Sequence, residues 1–541
     1  MPSRTVSTFV SLLVLCLLAA PGHGQSTGGP IAAPALAPAT GANTRPLSLA
    51  DAIALGVQNN LGVEVNRYTP YVAQYESEAA WGAYNPLFES DIQYGRQREQ
   101  NGFVTNQPTK SDQIEGGVGL TALIPYWGGA LTLDFDGGKN NTTNPIERLS
   151  PKYNSGLTLG INAPLLRGLV WNEPWTQVKI SRLGYESQLD NFTTSVMNTV
   201  FSIINDYWVL VARQEEVRVA EKSLESNNAL LDQARVQYDV GVVSKVEVIQ
   251  AEAGVANSEF NLILARNEYM NSQDQLIASV LGTQLHSTTT LLFSPTDNPV
   301  YTRAAPVDLE KSVERAFKLR PELAAAYKQV ETGEISLRFA ENQRLPRLDV
   351  NVRYRTLGTT GSENEVDSPF CPGGGVCPSP VNKGDFGDTF GYYYGQGGPD
   401  ELSAVALVSI PLGNTTARKN ASKARIQLRQ SKSQITRLKQ DIIVSVRRAA
   451  RGLLASAQGV EAAERRRIAA AEQLRAEQIR LEHGESTPFD VLQRERDLVD
   501  AESQKIGALR AYRISQATLQ REEGTILNDR NVVIDQVRAL N

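Results

Sequence analysis

The chain holds 541 residues, with 54 lysines and arginines against 59 aspartates and glutamates, a formal net charge of -5 and a pI near 5.6. This acidic balance excludes the basic footprint of a nucleic-acid surface. Three histidines and three methionines beside a hydrophobic content of 41% exclude a histidine-rich metal enzyme and a helical membrane protein.

The first feature in chain order is the apolar run "FVSLLVLCLLAA" (9–20), preceded by Arg4 and followed by "PGHGQS". Its length and flanks predict a secretory signal peptide over 1–24, too short for a spanning helix. Cys16 lies inside the run without the small residue that usually precedes a lipidated cysteine. Residues 25–46 are rich in Pro, Ala and Gly and read as a disordered leader.

Leu49, Ile53, Val57 and Leu61 recur at four-residue steps, with Ser48 as N-cap, so residues 48–80 are predicted helical. After "YNP" (84–86) the period drops to two. Phe88, Ser90, Ile92 and Tyr94 alternate with polar residues, as do Val118, Leu120, Ala122 and Ile124, then Leu131, Leu133 and Phe135, then Leu157, Leu159 and Ile161. That is strand chemistry within 87–166, one face apolar and the other small or polar. A long helix is predicted over 174–240, a rod of roughly 100 Å at the helical rise. Gly241 breaks it, and a helix over 244–282 follows. In that helix Val246, Ile249, Ala253, Ala256, Phe260 and Ile263 step 3-4-3-4-3, the spacing of a heptad seam. These elements make a first unit, 47–285.

A linker is expected over 286–306. The second unit, 307–526, opens on helices and has strand alternation only in 348–357 and 401–412, inside a β block spanning 346–412. A loop between those strands carries "FCPGGGVCPSP". In an exported chain Cys371 and Cys377 are expected to close a short disulfide, and the intervening glycines leave the backbone free to do so. A second long helix is predicted over 415–483, then a break at Gly484, a helix over 487–526 and a tail over 527–541. Phe489, Leu492, Val499 and Ile506 form its seam, interrupted by Arg496 and Ser503.

The two units repeat one another. "GVVSKVEVIQ" (241–250) aligns with "GESTPFDVLQ" (484–493), and the same offset sets Glu252 on Glu495 and Tyr269 on Tyr512. "LSLADAIALGVQNNLGVEV" (47–65) matches "VDLEKSVERAFKLRPELAA" (307–325), Pro86 falls on Pro346, and "INAPLLRG" (161–168) echoes "VSIPLGNT" (408–415). The ordered reuse of Gly, Pro and Tyr landmarks predicts an internal duplication. Amphipathic strands joined to rods of this length in an exported chain point to an outer-membrane barrel, with the rods in the periplasm. One chain supplies too few strands for a roomy barrel, so several copies must share one.

This order of helix, strand, loop, strand, helix, tip and helix, with "PLLRG", "PLGN" and two Gly-led tips, resembles the TolC family of outer-membrane efflux and secretion channels. The resemblance covers residues 47 to about 530. It implies an α+β membrane protein, a homotrimer with a shared transmembrane β-barrel and a long antiparallel coiled-coil α-helical periplasmic tunnel. It also implies a passive channel of a tripartite efflux or type I secretion system, in the cell outer membrane, in contact with outer-membrane lipid. Its partners would be a periplasmic adaptor and an inner-membrane pump of RND or ABC type, with no cofactor, catalytic residue, metal or nucleic acid. In the family each unit usually crosses the membrane twice. Here the polar segments 99–112 and 137–152 alternate with the short turn "PYWGG" (125–129), which predicts four crossings in the first unit and six strands per chain.

The resemblance also marks sites. Adaptor-docking tips match Gly241, Val242, Val243 and Ser244, and again Gly484, Glu485, Ser486 and Thr487. In the family two aspartates, four positions apart counted inclusively, ring the periplasmic mouth after the second tip. Asp490 matches the first, but Gln493 stands at the second. The equivalents in the first unit are Glu247 and Gln250. Helix-capping is the competing account of both acids, since the first turn of a helix favours negative charge.

Other features carry less. "DFG" (385–387) lacks every accompanying kinase motif, His483 reads as a solvated helix end, and Arg418, Lys419, Lys423, Arg425 and Arg429 read as a solvated face. Two other readings stay open: a periplasmic coiled-coil scaffold without a barrel, and an exported hydrolase with paired carboxylates. The strand blocks oppose the first and the scattered acids the second.

Overall fold

The structure, a computed structural model, describes residues 44–100, 108–144, 146–286, 291–301, 307–364, 383–393 and 398–534. The expected signal peptide, leader residues 25–43 and the Cys371–Cys377 pair lie outside the described residues.

Strand β1 (Thr44–Leu47) leads into helices α1 (Leu49–Asn59) and α2 (Leu61–Ala79). Four strands follow, β2 (Leu87–Glu99), β3 (Thr109–Leu123), β4 (Ala130–Thr142) and β5 (Leu149–Pro164), then the 67-residue α3 (Glu173–Asp239) and α4 (Lys245–Leu281). The second half holds β6 (Leu292–Pro295), α5 (Leu309–Leu319), α6 (Pro321–Asn342), β7 (Arg347–Glu363), β8 (Asp400–Ser409), the 68-residue α7 (Thr415–Glu482), α8 (Pro488–Glu523) and the short α9 (Ile526–Asp529). Local chemistry sets the helix starts. Ser48 accepts from the Asp51 amide at 3.1 Å, and Asn172 accepts from Trp175 at 2.8 Å with Pro174 in the first turn, as N-caps do.

The main core lies where α1 and α4 pack on the middle of α3, around Ile53, Val200, Ile203, Tyr207, Leu276 and Val280. A Cβ on Gly56 would stand 2.4 Å from Ile203 Cδ1, so glycine lets α1 approach closely. One expectation fails here. The end of the leader, expected to be disordered, is strand β1, and the expected linker contains strand β6: the two pair in parallel from Thr44–Leu292 to Leu47–Pro295. Leu47 and Phe293 are apolar and bury in the core, which a sequence reading by composition missed. Gln273, wholly buried, accepts from the Phe293 amide at 3.0 Å and donates to the Phe293 carbonyl at 2.5 Å, clipping β6 to α4. Leu527, at the start of the tail, joins the same core beside Ile526.

Matching side-chain bonds recur along the chain. Gln273 donates to the Tyr269 hydroxyl at 2.8 Å, and 243 positions on Gln516 donates to Tyr512 at 2.9 Å. Ser272 donates to the Tyr269 carbonyl, and Ser515 to that of Tyr512.

The heptad seam expected in α4 does not face α3. Val246, Ile249, Phe260 and Ile263 are exposed, whereas Ala251, Gly254, Ser258 and Leu262 are buried. α4 has two apolar faces, and the one with smaller side chains packs on α3 because it admits the closer approach. The bulkier face is left open. In α8, Leu492 is buried but Phe489 is exposed, so that seam is also only partly used within the chain.

Strands β2, β3, β4, β5, β7 and β8 form one antiparallel sheet in that order. The hairpin of β3 and β4 lies within it, bonded on both sides. Register places Phe88, Leu120, Leu133, Leu159, Tyr354 and Leu402 in one row across all six strands. The adjacent row, on the opposite face, reads Glu89, Gly119, Asp134, Thr158, Arg355 and Glu401. In these rows one face is apolar from edge to edge and the other charged, polar or glycine; at the β8 edge the second face also carries Val405, paired with Asn351, and Leu407, paired with Asp349. On the polar face Arg355 reaches Asp136 at 2.6 Å across Gly156, where a Cβ would meet both side chains at 2.9 Å.

One bond network joins the first strand to the core. The buried Tyr207 hydroxyl donates to Asp297 Oδ2 at 2.6 Å, and that oxygen also accepts from the Leu49 amide at 2.7 Å. Burial, with the Asp297 carboxylate beside it, pushes the phenol above its ordinary range, so it stays a donor. Tyr207→Phe should destabilise the helical part by about 1–3 kcal/mol, the cost of leaving buried partners unsatisfied, read as a lowered unfolding midpoint in detergent.

Candidate functional site

The two tips are built alike. At the first, Gly241 takes φ 80°, the Val242 amide donates to the Gln237 carbonyl at 2.8 Å and the Gly241 amide to Tyr238 at 2.9 Å. At the second, Gly484 takes φ 73°, Glu485 donates to Arg480 at 2.8 Å and Gly484 to Leu481 at 3.0 Å. This is a left-handed helix C-cap closed by a six-residue ring. No atom lies within 4 Å of a Cβ built on either glycine. The positive φ requires glycine here, and packing does not.

After the turn the tips diverge. Ser244 and Thr487 are both extended N-caps, which places Glu247 and Asp490 at the same third helical position. Thr487 and Asp490 form a reciprocal capping box: the Asp490 amide donates to Thr487 Oγ1, the Thr487 amide to Asp490 Oδ2, and the Thr487 hydroxyl to the same carboxylate at 2.7 Å. The Thr487 hydroxyl is the main reason the Asp490 carboxyl lies below its ordinary range. Ser-x-x-Glu in the first tip is the same signature in sequence, yet the Ser244 side chain makes no cap bond. A side-chain cap bond therefore holds Asp490 and not Glu247, which stands in the first turn of its helix without one. Gln250 and Gln493 are both exposed, Glu247 is half-buried, and Val243 and Ser486 are half-buried at their turns.

The tips also touch. Leu230, Leu474, Leu481, Val491 and Leu492 form one cluster just behind them, and Leu492 lies against Gly254 of α4. Two residues matched by the repeat behave differently there. Glu252 is exposed and pairs with Arg235 at 3.1 Å. Glu495 is buried, which pushes its carboxyl above the ordinary range.

The sheet carries a feature that the sequence reading did not assemble. Trp81, Tyr126, Trp127, Trp171 and Trp175 come from segments far apart in the chain. Trp81 and Tyr126 both pack against Trp175, at 5.7 and 4.2 Å between ring centroids, and the Lys179 ammonium lies 4.4 Å over Trp171. These residues gather where "PYWGG" meets the start of α3. Toward the far end of the strands Phe386 and Phe390 cover the apolar face, with Phe390 stacked on Phe135 at 5.6 Å and Phe386 edge-on to Tyr153. From Ala130 to Lys139, which pairs with Tyr153, is roughly 23 Å along the normal for strands tilted about 40°. Aromatic girdles flanking an apolar band about 25 Å tall are the signature of an outer-membrane strand wall. No helix is long and apolar enough to cross a membrane, and no group of three or more His, Cys, Asp or Glu suited to a metal occurs, both among the described residues.

The basic series opening α7 is mostly solvated, as expected; Arg425 pairs with Glu341 at 2.7 Å. The capping difference is measurable. Thr487→Ala should cost about 1 kcal/mol at the second tip and speed amide exchange in the first turn of α8, while Ser244→Ala leaves the first turn of α4 nearly unchanged. Because the Asp490 pKa is depressed, its contribution is present above the ordinary Asp value of about 4 and is lost as pH falls through the lowered one. The protection of α8 should follow that pH course.

Comparison with known proteins agrees with this architecture. The family model described as "Outer membrane efflux protein" matches residues 130–282 and 313–525, more than half of the chain. The pyoverdine export outer membrane protein OpmQ of Pseudomonas putida is 25% identical over 187 residues, 34% of this chain and 37% of that protein. Toxin and drug export protein A of Aggregatibacter actinomycetemcomitans is 23% identical over 163 residues, 30% of this chain and 35% of that one. The aligned stretches thus span about a third of either relative's length. Among solved structures, the outer-membrane channel OprN superposes with a TM-score of 0.62 at 14% identity, covering 88% of this chain and 90% of that one. The Campylobacter jejuni CmeC outer membrane channel gives 0.61 at 12% identity, covering 91% and 89%. These likenesses carry the fold, and the family match carries the location. The chain belongs to the outer membrane efflux protein family and resides in the outer membrane, with its helical part on the periplasmic side.

Proposed function

We propose that this chain is the outer-membrane channel of a tripartite efflux or type I secretion system, with no catalytic role of its own. Three internally duplicated copies share one barrel and one helical tunnel. Cargo enters from a periplasmic adaptor joined to an inner-membrane pump of RND or ABC type, and leaves passively. The observation that carries this is the joining of an edge-to-edge amphipathic sheet to two helix pairs, each led by a helix of roughly 100 Å, that end side by side in matched glycine turns. A scaffold has no use for such a sheet. The open face of α4, with Val246, Ile249, Phe260 and Ile263, supports packing against a second copy. The two relatives are named for different cargoes, pyoverdine in one and toxins and drugs in the other, so cargo choice is assigned to the adaptor and pump.

Six tips per trimer form the docking ring in this reading. Val243→Asp together with Ser486→Lys should abolish export and leave trimers in the outer membrane. Export that survives both changes removes the tips as the docking surface.

At the periplasmic mouth, Glu247 and Asp490 contribute a ring of like charge, which attracts cations. Since Asp490 is held in its cap, Glu247→Gln should weaken cation selectivity in planar bilayers at least as much as Asp490→Asn. Unchanged selectivity in the double variant would leave their place in the first helical turn as the sole account of these acids.

A further inference from the structure

The six-stranded sheet ends in two open edges, β2 and β8. β2 is 13 residues long and pairs with β3 at every position, Leu87–Thr121 to Glu99–Thr109. Its other side offers a full row of amide and carbonyl groups. A strand of that length spans a membrane, and an open edge is not tolerated there.

The two edges fit one another. Every neighbouring pair in the sheet is antiparallel and the strand number is even, so β2 and β8 run in opposite directions. β2 of one copy beside β8 of the next therefore continues the alternation. Their faces are also in phase. β2 carries Phe88 and Ile92 on the apolar face and Glu89 and Gln93 on the polar one, while β8 carries Leu402, Ala404, Ala406 and Val408 on the first face and Glu401 and Ser403, together with Val405 and Leu407, on the second. The inserted hairpin is not an appendage outside the wall. β3 is bonded to β2 and β4, and β4 to β3 and β5, and their Leu120 and Leu133 continue the apolar row.

We propose that copies of this chain close a single barrel by β2–β8 pairing, each supplying six strands, so that a trimer builds an eighteen-stranded wall. The copy number rests on the channel reading above; the six strands per copy and the pairing edges do not. With strands about 4.8 Å apart and tilted about 40°, eighteen strands give a backbone diameter of roughly 36 Å, against roughly 24 Å for twelve. The exit would then be far wider than a side-chain-filled barrel, which places the restriction on passage at the helical end. Glycines on the polar face, Gly119, Gly156 and Gly160 among them, leave that lumen clear.

The test uses the full chain with Cys371→Ser and Cys377→Ser. Gln93→Cys is combined in turn with cysteine at Glu401, Ser403, Val405 and Leu407, and Ile92→Cys with cysteine at Leu402, Ala404, Ala406 and Val408. The two sets cover both the hydrogen-bonded and the non-bonded pair types of an antiparallel ladder. Oxidation in outer membranes should give covalent dimers and trimers at one or two adjacent positions of a set, and none from Gln93→Cys or Ile92→Cys alone. Electron-microscopic maps viewed down the axis should show a wall roughly 36 Å across. Native trimers without any such cross-link, or with a wall of roughly 24 Å, would overturn the proposal. The cross-link in an oligomer of another copy number would overturn the trimeric reading and leave the edge pairing standing.

Discussion

A peptide group in hydrocarbon has no water to bond, and this single constraint organises the molecule. It forbids lone strands, demands that a sheet be continuous, and makes its two edges the least stable part of an isolated chain. The sheet meets the first demand internally, with six strands paired at nearly every position. In the proposed channel only neighbouring copies meet the second. The glycines that let side chains lie flat on the polar face and the aromatic girdles both fit a wall held at fixed depth.

The helical part solves a different problem. Rods of roughly 100 Å with small residues along the intrachain contact pack closely at little side-chain cost, and they leave bulkier apolar residues facing outward. Ala251, Gly254 and Ser258 are covered within the chain, while Phe260 and Ile263 are not. In the proposed trimer such a surface lies between copies. The polar core network around Tyr207, Asp297 and Gln273 locks the middle of these rods to the paired strands β1 and β6, where the chain would otherwise be a bundle free to slide.

The two tips share a geometry and differ in chemistry. Both glycines adopt the same left-handed cap and both following helices begin in the same way. Thr487, Pro488 and Asp490 then fix the second turn, whereas Ser244, Lys245 and Glu247 leave the first without its side-chain lock. In the proposed trimer three stiff and three looser tips alternate, and the carboxylate left out of capping is Glu247.

Much of this was legible in one dimension. Period-two alternation located the strands, uninterrupted helical pattern located α3 and α7, and the Gly-led repeat located both tips. These signals are local: backbone hydrogen bonding and turn geometry depend on residues a few positions apart. What the sequence could not decide was which of two apolar faces on α4 would be buried, whether Ser244 would cap as Thr487 does, and that Leu47 and Phe293 would pair. Nor could it bring Trp81, Tyr126 and Trp175 into contact. Those outcomes depend on how closely one element approaches another, and close approach is set by side chains from distant parts of the chain that no local pattern records.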